Sequence, residues 1–218
     1  MPKLCVTESR ITTNTVNSKS HLRRCLMNEV KALKYGNTRC YCINNRVMID
    51  TDWAGTLPAF FKCIKENHIK ISDIEYLIVT HFHPDHMGIS QEFIELGMTL
   101  IAFEEQRAYI HCSDSIFSKD KNTPFKPIDG SKILFMSCAD SRSFLFRLGI
   151  EGEVIHTAGH SDDSISVILD EGIAIVGDLS PLHTISGYKD KRLEESWNSI
   201  LSHNIKKIYY GHFNEEYL

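Results

Sequence analysis

The 218-residue chain has no apolar run long enough to cross a bilayer, since a spanning helix takes about 20 consecutive apolar residues. Its first ten residues are mixed polar and lack the apolar core of a secretory signal. Positive charge is not in excess. Lys and Arg number 24 against 28 Asp and Glu, a net charge of -4 with histidines neutral. No broad polyanion-binding surface is therefore expected, and nucleic acid is not an expected partner. The seven cysteines include no CxxC pair and are odd in number. Cys40 and Cys42 alternate along an expected strand and are read as pointing to opposite faces. Reduced thiols rather than a disulfide framework are expected, and with them a cytoplasmic location. Internal repeats and low-complexity linkers are also lacking, and the length suits one folded domain.

Hydrophobic residues make up 42% and charged residues 24%, the balance of an ordinary globular domain. Residues 1–27 are rich in Ser, Thr, Asn, Lys and Arg with weak apolar periodicity, so a loose N-terminal extension is expected before a domain at 28–218. Met27 is a candidate native start, which N-terminal sequencing of the natural protein would check. Beyond it the pattern predicts a hairpin over 38–44 and 46–50, turning at Asn44-Asn45. It predicts a helix over 57–67 with an apolar stripe at 57, 60, 61 and 64. A strand over 76–80, helices over 88–96 and 104–111, a strand over 99–103 and a loop over 119–130 follow. Strands at 132–136, 153–157, 165–169 and 173–176, a helix at 193–203 and a strand at 207–210 complete the reading. Such mixing suggests two sheets with helices packed outside.

The unusual count is histidine, at 11. Three of them fall in Thr80-His81-Phe82-His83-Pro84-Asp85-His86, directly after the apolar strand. On an extended segment residues 81 and 83 point to one side, so their imidazoles can reach one ion. Asp85 and His86 sit where the chain turns into a helix and can face a second. Imidazole nitrogen and carboxylate oxygen suit zinc, and also iron or manganese. Pro84 stiffens the turn between the pairs. Three further candidates each follow an apolar strand and a glycine: His160 in Gly159-His160, Asp178 in Gly177-Asp178 and His212 in Gly211-His212. A glycine there allows a sharp turn that projects the next side chain.

This order of motifs resembles the metallo-β-lactamase superfamily over residues 35–212, including Val47-Met48-Ile49-Asp50-Thr51 as the early strand ending in Asp. The resemblance implies an α/β four-layer αββα sandwich. It implies that His81, His83 and His160 hold one divalent metal ion, and that Asp85, His86 and His212 hold a second. Asp178 would bridge them, and Asp50 would hold the ligand loop from behind. Asp52 stands where the family often has Gly. The implied activity is hydrolysis of a small ester, lactone, thioester or phosphoester by a hydroxide shared between two metals, with zinc the expected ion and Asp85 or Asp178 carrying a proton to the leaving group. His83 stands where the diiron flavoprotein branch has Glu, and Asp178 where one class of antibiotic-degrading enzymes has Cys. The alternative on the same fold is an iron-dependent persulfide dioxygenase or a diiron oxygen or nitric oxide sensor; a third is a binding protein without activity. The loop after Asp178 is expected over the pocket, with His183, Tyr188 and Lys189 as candidate substrate contacts. Trp53 is read as either pocket mouth or core. His156 is expected to pack or to support a ligand rather than to be one.

Overall fold

The computed structural model describes residues 27–119 and 121–218. The extension read over 1–27, with Cys5, Cys25 and His21, lies almost wholly outside them. The described chain opens with β1 (Val30–Lys34), which pairs antiparallel with β2 (Arg39–Ile43). β2 pairs antiparallel with β3 (Val47–Ile49). Asn44 and Asn45, at the turn, have φ of 52° and 55°, the left-handed conformation that matches strand twist in a tight hairpin and that Asn tolerates. Helix α1 (Leu57–Glu66) crosses to β4 (Tyr76–Ile78), which lies parallel to β3. The short α2 (Pro84–Met87) and α3 (Ser90–Glu95) lead to β5 (Thr99–Phe103), parallel to β4. After α4 (Asp114–Phe117) comes β6 (Ile133–Met136), parallel to β5.

Helix α5 (Cys138–Arg147) then carries the chain to the second sheet. There β7 (Gly152–His156), β8 (Ile165–Leu169) and β9 (Ile173–Ile175) form an antiparallel meander. Helices α6 (Ile185–Tyr188) and α7 (Lys191–Leu201) cross over to β10 (Lys207–Tyr209), parallel to β9, and β11 (Glu216–Tyr217) closes the edge. The sheets run β1-β2-β3-β4-β5-β6 and β11-β10-β9-β8-β7.

Strand alternation builds the layers. Tyr41, Ile43, Ile49, Ile78 and Ile101 of one sheet face inward against Val154, Val167, Leu169 and Ile175 of the other. Cys40, Met48, Leu77 and Leu100 point outward onto Phe60, Ile64 and Phe93 of α1 and α3. Ile168, Ala174 and Ile208 point outward onto Leu193, Trp197 and Ile200 of α7. This is the expected αββα sandwich. Each fully buried branched side chain contributes about 1.5–3 kcal/mol.

Several expectations need correction. Cys40 and Cys42 share one face, the one under α1, because residues two apart on a strand point the same way. The helix expected over 88–96 is the shorter α3, and a separate helix, α2, ends just before it, the two parted at Gly88 and Ile89. A Cβ at Gly88 would lie 2.3 Å from the Ala54 backbone nitrogen, so the break follows close backbone packing. Residues 104–111 hold only a 3₁₀ turn at Glu104–Gln106 and irregular turns. Phe61, placed in the buried stripe of α1, is 39% exposed, while Cys63 takes its place inside. Helix α5 went unread despite a Ser137 N-cap whose oxygen accepts from the Asp140 N–H.

Candidate metal centre

The site forms where strands sharing one direction end together. β3 and β4 run parallel, as do β9 and β10. β7 is antiparallel to β8, which is antiparallel to β9, so β7 and β9 also run the same way. Asp50, His81, His160, Asp178 and His212 therefore leave five strands at one end of the sandwich. Hydrogen bonds stitch these ends across the seam: the Ile165 N–H to the Thr80 carbonyl at 2.8 Å, the Phe82 N–H to Asp163 Oδ2 at 2.7 Å, and Gln106 Nε2 to the Asp163 carbonyl at 3.3 Å.

Two groups of donors result. One is His81, His83 and His160; the other is Asp85, His86, Asp178 and His212, and within each group the donor atoms lie within 4.8 Å of one another. All seven candidates from the sequence are thus brought together. Asp178 sits between the groups. Its Oδ2 is 4.0 Å from His81 Nε2, 3.8 Å from His160 Nε2 and 3.3 Å from His212 Nε2, and its Oδ1 is 3.2 Å from His86 Nε2. His212 Nε2 is 2.9 Å from Asp85 Oδ2, and His160 Nε2 is 3.0 Å from His83 Nδ1. Two glycines make room. A Cβ at Gly177, where φ is 58°, would lie 2.4 Å from Thr80 Oγ1. A Cβ at Gly211 would lie 2.5 Å from Asp178 Oδ1. Gly211 is thus required for space rather than for a left-handed turn.

Asp50 fixes the proton arrangement behind the donors. It is 1% exposed. Its Oδ1 accepts from the Thr80 N–H at 2.6 Å, and its Oδ2 from the Thr80 hydroxyl at 2.8 Å. The same Oδ2 is 2.9 Å from His86 Nδ1. An ionised carboxylate only accepts, so His86 carries a proton on Nδ1, and its neutral form presents the lone pair on Nε2. Because the Thr80 proton is given to Asp50, Thr80 Oγ1 accepts from His81 Nδ1 at 3.2 Å, and His81 Nε2 is freed too. One carboxylate thereby sets the tautomer of an imidazole in each group, the support expected of residues behind a metal ligand.

The electrostatics agree with cation binding. Burial, followed by the neighbouring imidazoles of His86 and His160, pushes His81 well below the usual histidine range, into the neutral form that ligates metals. Burial also lowers His160, against the pull of Asp178. Burial opposes charge on His86 as well, but Asp50 and Asp178 outweigh it and raise its pKa to about 10, so without a cation the doubly protonated form is favoured, and a cation would take the place of the Nε2 proton. Burial disfavours ionised Asp178, yet His86, His212 and His160 hold it below the usual carboxylate range. His81 Nε2, His86 Nε2 and Asp178 Oδ1 are buried without a hydrogen-bond partner, a costly state for polar atoms that a shared cation would relieve. Seven nitrogen and carboxylate donors in two groups fit two divalent ions.

Residues 36–212 match the family model described as the metallo-beta-lactamase superfamily. The chain belongs to that superfamily. Among curated proteins it is 26% identical over 132 residues to the lactamase-like protein nscB of Arthroderma benhamiae, across 60% of this chain and 24% of the relative. It thus spans about a quarter of that protein's length. The superfamily fold recurs in a metallo-β-lactamase family protein from Thermus thermophilus, at 19% identity and TM-score 0.57, covering 86% of this chain and 74% of that one. It recurs in the chemotaxis sensor ODP, solved as a peroxy diiron species, at 14% identity and TM-score 0.64, covering 88% and 85%. Those likenesses speak for the fold.

The remaining candidates stand outside the two donor groups. His156 is exposed at the end of β7, with Nε2 2.7 Å from the Asp162 carbonyl, and stands outside both groups. Trp53 is 39% exposed and meets Phe117 edge-on at 5.0 Å, so it belongs to the surface rather than the core. His183 lines a groove of about 360 Å³ with Pro181, Tyr210, Phe213 and Glu216, beside His212 in sequence. Tyr188 is 59% exposed and Lys189 has a left-handed φ of 51°. The structure brings neither of them into a hydrogen bond or ion pair among the described residues. Sequence reading missed Thr80, Asp163 and Gln106. Thr80 stood at the head of the motif; Asp163 and Gln106 had no pattern to reveal them.

Proposed function

We propose that this chain is a dinuclear metal-dependent hydrolase acting on a small ester, lactone, thioester or phosphoester. The observation that carries the reading is Asp178, set between two donor groups whose outer members, His160 and His212, reach solvent. In this reading His81, His83 and His160 would hold one ion and Asp85, His86 and His212 the other, with Asp178 available to both. Two zinc ions, or iron or manganese, would supply Lewis acidity and lower the pKa of water toward ~7. The chain's own residues do the rest. Asp50, directly on His86 Nδ1 and through Thr80 on His81 Nδ1, holds both rings so that their Nε2 atoms would face the ions. Asp85 is partly exposed beside His212 and so can pass a proton to a departing alkoxide or thiolate, with Asp178 as the other candidate. The opening at the His160 and His212 rim admits a small substrate, and His183, Tyr188 and Lys189 stand as candidate contacts on the following loop.

No helix among the described residues is long and apolar enough to cross a membrane. The five described cysteines are free, which supports a reducing, cytoplasmic setting for the protein. The likeness to ODP favours a second reading, iron redox chemistry or sensing; the histidine at position 83, where the diiron flavoprotein branch has Glu, supports hydrolysis instead.

Metal content of protein purified without added metal, with a panel of esters, lactones, thioesters and phosphodiesters, tests the proposal. About two equivalents of zinc with chelator-sensitive turnover are expected. Iron with a redox-linked optical signal and no hydrolysis would move the assignment to the second reading. Failure to bind metal after reconstitution would overturn both.

A further inference from the structure

The turn between β1 and β2 lies outside both donor groups, yet its neighbouring residues hold one ligand-bearing segment from each sheet. Thr38 is fully buried and donates its hydroxyl to the Asp85 carbonyl at 2.8 Å. Arg39 donates its backbone N–H to the Gly211 carbonyl at 2.7 Å. Its guanidinium Nη1 reaches the His212 carbonyl at 2.9 Å, and Nη2 reaches Asn214 Oδ1 at 2.8 Å. Asp85 and His212 belong to the same donor group, with side chains 2.9 Å apart. The turn is anchored in turn by Asp52, which is 1% exposed. Its Oδ2 accepts from the Thr38 N–H at 2.9 Å, and its Oδ1 from the Trp53 N–H at 2.6 Å. A Cβ at Gly36 would lie 2.2 Å from Asp52 Oδ2. Gly36 and Asp52 are therefore a matched pair, which gives a reason for Asp at a position where the family often has Gly.

The other donor group is held by different means. Between His81 and His83, the Phe82 N–H is bonded to Asp163 and the Phe82 carbonyl accepts from Ser113 Oγ at 2.6 Å. The two groups thus have separate backbone supports. We propose that Asp52, Thr38 and Arg39 are positioning residues that set the affinity of the Asp85–His86–Asp178–His212 group for a divalent cation, without setting that of the His81–His83–His160 group. This rests on the two-ion reading above. Cation affinity depends on how well the ligands are pre-placed, and loss of such support lowers it about 10–100-fold.

The test is a zinc titration of the metal-stripped full chain in competition with a chromogenic chelator. Wild type is expected to take two tight equivalents. Thr38→Val and Arg39→Ala should weaken the second by about 10-fold or more and leave the first unchanged, while Thr38→Ser, which keeps the hydroxyl, should behave as wild type. Asp52→Asn should follow Thr38→Val, and circular dichroism shows whether it folds; the two turn variants decide the matter if it does not. Equal weakening of both equivalents, or of neither, with wild type binding two, overturns the brace alone. Fewer than two equivalents on wild type overturns the two-ion reading and the brace with it.

Discussion

Asp50→Asn should disable both metal positions while leaving the fold nearly intact. The amide oxygen can still accept from the Thr80 N–H, which now lies 2.6 Å from Oδ1. The amide NH₂ then replaces Oδ2 and faces both the Thr80 hydroxyl and His86 Nδ1. It donates where the carboxylate accepted, so His86 moves its proton to Nε2. Thr80, now an acceptor from the amide, turns its own proton toward His81 Nδ1, 3.2 Å away, and His81 protonates Nε2 as well. Both nitrogens that should face the ions become blocked. A loss of about 10–100-fold in affinity at each position is expected, or about 1.4–2.7 kcal/mol. Asp50→Ala is the contrast. It strips three buried donors of their acceptor, at about 3–5 kcal/mol. At about 2–4 °C per kcal/mol for a domain of this size, that is about 6–20 °C in Tm. Long-range ¹H–¹⁵N correlation spectra of the imidazoles report the tautomers, and zinc titration reports the affinities. An Asn variant that keeps Nδ1–H on both histidines and binds zinc as tightly as wild type would refute the relay.

Asp178→Ala should lower kcat/KM at least about 100-fold, or about 2.7 kcal/mol, and full turnover on the best ester or thioester would remove Asp178 from its place between the groups. Glu92 is a buried carboxylate whose Oε2 has no partner, and burial, only partly offset by its own backbone and Lys126, holds its pKa above the usual carboxylate range. The folded state therefore binds the proton more tightly than the unfolded state, so its contribution to stability is greatest below about pH 4.3 and falls as pH rises through the folded pKa. Glu92→Gln should remove that fall and raise the urea midpoint at pH 7.5 relative to wild type; a lower midpoint would show that the carboxylate is needed. Ile101→Ala, between the sheets at 0% exposure, should cost about 2–5 kcal/mol in denaturant melts, and a cost under about 1 kcal/mol would mean that the interface re-packs around the gap.

The features legible in the sequence were those with local periodicity or fixed spacing. The Asn44-Asn45 hairpin, the apolar strands and the histidine and aspartate candidates at or just beyond strand ends needed only neighbours along the chain. Their convergence followed because the crossovers β3 to β4 and β9 to β10, and the two antiparallel steps from β7 to β9, make these strands share a direction within each sheet. What stayed hidden depended on distant partners. Helix α5 has only a modest apolar face, buried through Phe144 and Leu145 at the end of the sandwich. The parting of α2 from α3 at Gly88 depends on the 52–54 backbone. Thr38 and Arg39 gain meaning only when residues 85 and 212 come beside them, and Asp52 looked like a departure until Gly36 was seen to leave it space.

The donors come from both sheets: His81, His83, Asp85 and His86 follow β4, whereas His160, Asp178 and His212 follow strands of the other half. Each ion position therefore takes ligands from both halves, and neither half holds a full set. Ligation would act as a rivet across the seam, closing chain loops that are long in sequence, and would add stability only to the state in which the sheets are docked. Splaying of the sandwich at this end and release of a bound cation would become one event, so the rate of cation loss and the exchange of amide hydrogens in β4 and β9 should rise and fall together.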